Sequence, residues 1–256
     1  LVTGAAGRIG SYFAEHCHTF YDLTLMVHPA EEVARIRSFG RIERALLQNE
    51  ERMIELCSGV DTVLHLAADP SPNASWASIL PNNIVGTHVL FEAALAGGCR
   101  RVVFASSIHA VSGYPLGCQV HPDDPVNPGD LYGVSKCFGE ALGRYMTTQH
   151  GLSCLVIRIG SFLPRAEARR EDYIDAMNTF VDQDDLNQLL CCSIDNEDLD
   201  YAILHGASNN WFNRMDLTST RELVGYSPDV DFTEENPTLQ KLHLRERVRP
   251  HSRTGR

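Results

Sequence analysis

The sequence predicts an α/β fold, an open, doubly wound parallel sheet with helices on both faces, followed by a small C-terminal lobe. Three observations predict it. Short apolar runs rich in β-branched residues alternate with longer segments of helical periodicity, the pattern of β-α-β units. A glycine-rich turn, Thr3-Gly4-Ala5-Ala6-Gly7-Arg8-Ile9-Gly10, joins the first such run to the first helical segment. After Gly160 the alternation gives way to a charged, loop-like stretch.

Residues 1–2 read as the end of a buried strand, so the native N-terminus is expected upstream of Leu1 and any targeting segment goes unread. The glycine turn follows, then a helix over 8–17. Gly4 permits the tight turn, Gly7 lets backbone N–H groups approach a pyrophosphate, and Gly10 lets the helix pack closely on the sheet. The positive end of that helix, with Arg8 and Ile9 in its first turn, then faces the phosphates. Residues 23–27 form the second strand. Dinucleotide sites commonly carry an acid at its end, for the ribose hydroxyls. Here the chain has Val27-His28-Pro29, and the first acids, Glu31 and Glu32, are expected inside the next helix. Arg35 and Arg37 are the nearest cations, which leaves NAD and NADP both open.

Asp61-Thr62-Val63-Leu64-His65-Leu66-Ala67-Ala68 suits a buried parallel strand whose small end, Ala67-Ala68, leaves room for a cofactor. A long helix is expected over 74–96, interrupted near its start by Pro81. Residues 101–105 give another strand, ending in Ser106-Ser107. A Gly- and Pro-rich loop over 112–130 leads into a helix reaching about residue 150, and 152–159 form a further strand. Beyond Gly160, residues 165–175 read as loop, 179–192 as helix, 201–205 as strand and 216–224 as helix. Boundaries are expected at 160 and 240: a dinucleotide-binding core over 1–160, a small substrate-binding portion over 161–240, and a disordered tail over 241–256.

The formal net charge is −11 and no basic stripe interleaved with aromatics occurs, which argues against a nucleic-acid partner. The tail is locally basic, with Arg245, Arg247, Arg249, Arg253 and Arg256, but lacks apolar periodicity. No apolar run approaches the ~20 residues that span a bilayer, so no membrane partner is expected. The eight cysteines are scattered without CxxC spacing, as expected of free thiols in a reducing, cytoplasmic compartment. His16-Cys17-His18 invites a metal, but adjacent helical residues point in different directions, and no metal is expected.

The chemistry concentrates in Leu131-Tyr132-Gly133-Val134-Ser135-Lys136. Helical side chains at i and i+4 share a face, so Tyr132 and Lys136 sit one turn apart. An ammonium beside a phenol favours the phenolate, which predicts a depressed pKa for Tyr132 and a general base for a hydroxyl. The glycine turn, Ala67-Ala68, Ser106-Ser107 and Gly160-Ser161 all fall at carboxyl ends of strands, where open parallel sheets bind ligands.

With these residues the sequence resembles the extended short-chain dehydrogenase/reductase superfamily, also called the NAD-dependent epimerase/dehydratase family. The carrying stretches are residues 3–10, 61–68, Asn83-Ile84-Val85-Gly86-Thr87, Ser106-Ser107 and Tyr132 to Lys136. The resemblance implies a Rossmann-type core with Ser107, Tyr132 and Lys136 as the catalytic residues. The 25-residue spacing from Ser107 to Tyr132 favours Ser107 over Ser106. It implies cofactor contacts from Gly4, Gly7, Arg8, Ile9, Gly10, Ala67, Ala68, Asn83, Tyr132 and Lys136. Within the superfamily the chain is most similar to uronate dehydrogenases and related sugar dehydrogenases, through Phe104 to His109, Leu131 to Gly139, Arg158-Ile159-Gly160-Ser161 and Gly206-Ala207-Ser208-Asn209-Asn210. That implies oxidation of a sugar or sugar acid at C1 to a lactone, with Ser107, His109 and Ser161 touching the sugar, and a homodimer paired through the helices near 74–96 and 131–150. The chain departs from this pattern at Ile108, where relatives carry Asn, and at Leu46-Leu47, where they carry Asp-Leu beside adenine. Around Arg169 and Arg170 no register to the carboxylate-binding Arg of the uronate enzymes can be assigned. The alternatives are a nucleotide-sugar epimerase or dehydratase, which uses the same triad, and a non-catalytic dinucleotide-binding protein.

Overall fold

The computed structural model describes residues 1–244; most of the expected tail lies outside the described residues. Seven strands build the main sheet: β1 (Val2–Thr3), β2 (Thr24–Val27), β3 (Arg41–Arg44), β4 (Thr62–His65), β5 (Arg101–Ser107), β6 (Ser153–Ile159) and, after the two-residue pair β7 (Ser161–Phe162) and β8 (Phe180–Val181), β9 (Tyr201–Gly206). All pair in parallel, in the order β3-β2-β1-β4-β5-β6-β9. The order reverses between β1 and β4, the switch point at which such sheets open a crevice.

Helices cover both faces, as parallel strands require. On one face α1 (Arg8–Cys17) contributes Phe13, which shares a core with Leu25, Val103 and Ile157 of the strands. On the other, α2 (Glu50–Cys57), α4 (Gly86–Ala96) and α5 (Leu131–His150) supply Met53, Leu56, Leu90, Phe91 and Met146 against Val63, Val102, Phe104 and Val156. The four-residue α3 (Trp76–Ile79) precedes α4. After Gly160 come α6 (Arg165–Ala168), α7 (Gln183–Asp195) and α8 (Thr218–Val224). Of this later portion, β9 completes the main sheet and α7 joins the α1 face through Leu186 and Leu189. A small separate core gathers Ala168, Ala176, Phe180, Val230, Phe232 and Leu239. Tyr21, just past α1, donates its hydroxyl to Asp195 of α7 at 2.9 Å.

Several elements differ from the expectation. No helix follows β2: residues 28–40 form turns, and Glu31 lies in them rather than in a helix. Strand β3, Arg-Ile-Glu-Arg, is an edge strand with no apolar run to betray it. Helix α2 was equally hidden, although Asn49 accepts from Arg52 N–H as its N-cap and Glu50 and Glu51 fill its first turn. The helix expected over 74–96 is real over 76–96 but contains a π-helical segment, Leu80–Val85. Pro81, which lacks an N–H, sits at its start. The expected helix over 179–192 is displaced to Gln183–Asp195, because residues 180–181 pair as β8 and Asp182 caps the helix.

Buried polar residues tie these layers beneath the crevice. His65 bridges Thr3 Oγ1 (2.8 Å) and Thr87 Oγ1 (3.2 Å), and burial pushes its pKa down to about 3, so it stays neutral. Glu140 of α5 accepts from Ser106 Oγ (2.6 Å) and, through both oxygens, from Arg158 of β6 (3.0 and 2.9 Å). The Arg158 and Glu140 side chains are 1% and 4% exposed. Removing one partner of such a pair strands a buried charge. Glu140→Ala is expected to cost about 3–5 kcal/mol of folding stability, read by urea unfolding. A loss below about 1 kcal/mol would match an exposed ion pair and contradict the burial.

Candidate active site

At the switch point the carboxyl ends of the strands open into a cleft of about 710 Å³. Its floor is the glycine turn. Gly4 takes φ +67, and a Cβ there would stand 2.9 Å from the Ala67 backbone. A Cβ on Gly10 would meet Gly4 O at 2.5 Å. Gly7 precedes α1 with no side-chain cap, so the first-turn N–H groups of α1 have no partner from a capping side chain. Arg8 is exposed, lines the cleft, and makes no ion pair among the described residues. A narrow cradle of free N–H groups with a guanidinium beside it fits a pyrophosphate. Ile9, Ala67 and Ala68 line the same floor. Thr3 Oγ1 holds the Ala67 N–H at 3.2 Å, fixing β4's end against the turn.

At the far end, beyond β2, the cleft is lined by Met26, His28, Glu31, Leu46, Leu47 and Gln48. Glu31 curls back, and its carboxylate accepts the His28 N–H at 2.7 Å. Arg44 clasps the turn by donating to the carbonyls of Pro29 (2.7 Å) and Glu31 (2.9 Å). A carboxylate therefore does stand at the end of the second strand, supplied by a turn rather than by the strand's last residue. Glu31 was missed because no helical or strand pattern marks a turn-borne acid.

At the opposite end β5 delivers Ser107 and the first turn of α5 delivers Tyr132 and Lys136, all lining the cleft and all nearly buried, at 6%, 9% and 5% exposure. Asp130 caps α5, its Oδ1 accepting Gly133 N–H at 2.7 Å. Its Oδ2 meets His109 Nδ1 at 2.6 Å. An ionised carboxylate only accepts, so Nδ1 carries the hydrogen and Nε2 is turned to other work. The His109 ring stands edge-on to Tyr132, with centroids 5.4 Å apart, and its backbone N–H donates to Ser107 Oγ at 3.2 Å. Asp130 was not singled out in the sequence; an N-capping acid directly before Leu131 was the available signal.

The electrostatics differ from expectation. Burial pushes the Tyr132 phenol above its usual value of 10, and the hydrogen-bonding contact with Ser107 pulls it back only in part. Lys136, likewise buried, is pushed down to about 8 by the same desolvation. Its Nζ donates to Ala105 O at 2.7 Å and lies 5.4 Å from the Tyr132 ring centroid. The predicted depression of the phenol by its ammonium neighbour is thus outweighed by burial, which disfavours both charged forms.

Ser161 lines the cleft with its Oγ 2.8 Å from Thr179 Oγ1, near Phe162, Leu163 and Tyr173. Asn83 does not line it. Both amide hydrogens go inward, to Asp69 O (3.0 Å) and Ser135 Oγ (3.0 Å), and its Oδ1 accepts Asp69 N–H at 2.8 Å. It is a strut between the β4 loop and α5, which leaves its amide no hydrogen for a ligand. Among the described residues no cluster of three metal-ligating side chains occurs, and no helix is long and apolar enough to cross a membrane. All eight cysteines are free thiols.

Comparison with known proteins agrees with this geometry. The NAD-dependent glucose-6-phosphate dehydrogenase of Haloferax volcanii is 33% identical over 94% of this chain and 98% of its own length. The L-arabinose 1-dehydrogenase (NAD(P)(+)) of the same organism is 33% identical over 89% of this chain and 94% of its own. The crystal structure of uronate dehydrogenase from Agrobacterium tumefaciens superposes with a TM-score of 0.80 at 30% identity, covering 99% of this chain and 90% of that one. The family model for the NAD dependent epimerase/dehydratase family matches residues 1–183, and the chain belongs to that family.

Proposed function

We propose that the protein is an NAD(P)-dependent dehydrogenase that oxidises a sugar or sugar acid at C1 and releases a lactone. The observation that carries this is the convergence of Ser107, Tyr132, Lys136 and His109 at one end of a cleft whose other end is the glycine cradle. The named activities of its relatives from Haloferax and Agrobacterium support the same reaction class.

When bound, the nicotinamide supplies the acceptor for the hydride that leaves C1. Tyr132 takes the proton of the anomeric hydroxyl as the C1–O bond becomes a carbonyl. Ser107 Oγ donates to the same oxygen and holds it at the phenol. His109 Nε2 and the Ser161 hydroxyl orient the sugar's remaining hydroxyls. Lys136 stands one turn from Tyr132, where its amine stabilises the phenolate as it forms. Arg8 and the first-turn N–H groups hold the pyrophosphate; the Glu31 carboxylate accepts from the adenosine ribose hydroxyls and repels a 2′-phosphate, so NAD is preferred over NADP. Asn83 positions Ser135 and the Asp69 loop. The exposed Leu131, Val134 and Tyr145 give α5 an outward apolar face, which supports pairing with a second copy; light scattering is expected to give twice the chain mass.

Tyr132→Phe is expected to lower kcat about 10²–10⁴-fold while NAD still binds, followed by fluorescence titration. Unaltered turnover would remove Tyr132 from the reaction. The working base is the phenolate, and its pKa is raised, so its population grows with pH up to and past 10. Sugar oxidation measured as kcat/KM should therefore climb from pH 7 to 10; a plateau below pH 8 would contradict a buried, unrelieved phenol. Glu31→Ala should cut the NAD-over-NADP preference by about tenfold or more, and an unchanged preference would show that another group selects the cofactor.

A further inference from the structure

The sugar end of the cleft is lined by hydroxyls, one imidazole and apolar side chains, from Ser107, His109, Ser161, Phe162, Leu163 and Tyr173. Between Leu163 and Tyr173 the chain carries Arg165, Arg169 and Arg170. These three cations lie between two residues that line the cleft, yet none of the three lines it; the lining cation at this end is Lys136, which Ala105 O already holds. Each is already matched. Arg165 forks onto Asp182 (3.2 Å), and Arg169 meets Glu235 (2.8 Å). Arg170 is shared by Glu167 (2.9 Å) and Asp172 (3.2 Å). Four carboxylates thus face three guanidiniums, so the segment between Leu163 and Tyr173 carries, with its partners, a net negative charge.

A segment of that sign, flanked by lining residues, raises the energy of an approaching anion and offers it no free fork to bind. A neutral sugar suffers neither penalty, and its hydroxyls match the hydroxyl and imidazole groups that do face the cleft. Resting on the dehydrogenase assignment above, we infer that the substrate is a neutral aldose, and that Glu167 and Asp172 set this preference by holding Arg170 away from carboxylate- or phosphate-bearing sugars. The pairs on Arg170 are solvent-exposed, and each alone is weak. Their release should therefore alter selectivity several-fold rather than by orders of magnitude.

The test is kcat/KM for NAD reduction with D-xylose, L-arabinose, D-glucose and D-galactose against D-glucuronate, D-galacturonate and glucose 6-phosphate. At least one neutral aldose should exceed every charged sugar by about tenfold or more. Glu167→Gln combined with Asp172→Asn should raise the charged-to-neutral ratio about threefold or more, with neutral-sugar turnover unchanged. Arg170→Ala should leave neutral-sugar turnover unchanged. A uronate or sugar phosphate as the best substrate overturns the inference while the dehydrogenase assignment stands, since nicotinamide is still reduced. An unmoved ratio in the double variant overturns the part given to Glu167 and Asp172. Silence with every sugar, in protein that binds NAD, overturns the dehydrogenase assignment and this inference with it.

Discussion

Buried polar groups must find partners, and helix α5 obeys that requirement on successive turns. Asp130 caps its start and Ser135 meets Asn83. Lys136 reaches the Ala105 carbonyl, and Glu140 closes on Ser106 and Arg158. The partners come from four neighbours: the preceding loop, the π segment before α4, and strands β5 and β6. A rotation of α5 by one residue would break all of them together. The placement of Tyr132 over the end of β5 follows from this accumulation, to which its own contacts with Ser107 and His109 add.

Within that frame desolvation decides the charge state. A phenol and an amine one helical turn apart would each favour the other's ionised form in an open site. Here Lys136 is enclosed and faces a backbone carbonyl, and Tyr132 is nearly enclosed too. With no carboxylate in hydrogen-bond contact with the amine, burial disfavours both charges. The phenol rests protonated, ready to donate to a carbonyl in the reductive direction. In the oxidative direction it must first lose its proton, against the burial that disfavours its anion.

How far the sequence could be read depends on how local each signal is. The glycine turn, the β5 serines and the Tyr132–Lys136 spacing are encoded within a few residues, and all three meet at the cleft. The buried strands β4, β5 and β6 announced themselves by apolar runs. Strand β3 did not, because an edge strand of Arg-Ile-Glu-Arg has almost no apolar content. Glu31 was assigned to a helix because charged residues follow Pro29, whereas the clasp by Arg44 from β3 folds the segment into turns. Asn83 sits in a stretch typical of the family, but whether its amide faces a ligand or a neighbouring loop depends on a helix register that a proline disturbs. The pairing of Arg165 and Arg169 was equally out of reach, since Asp182 and Glu235 are remote in sequence.

The π segment over Leu80–Val85 bears on how this chain can change. A π turn is an α-helix holding one residue too many, so a single deletion there would restore regular backbone bonding. That deletion would also swing the preceding helix by about 100° relative to α4. Ser78, which lines the cleft and hydrogen-bonds Asp69, and Asn82, which also lines it, lie at or before the distortion and would change facing. Gain in local regularity and loss of the cleft wall would thus come from one event, so insertions and deletions in residues 80–85 are barred where the flanking surface turns would absorb them.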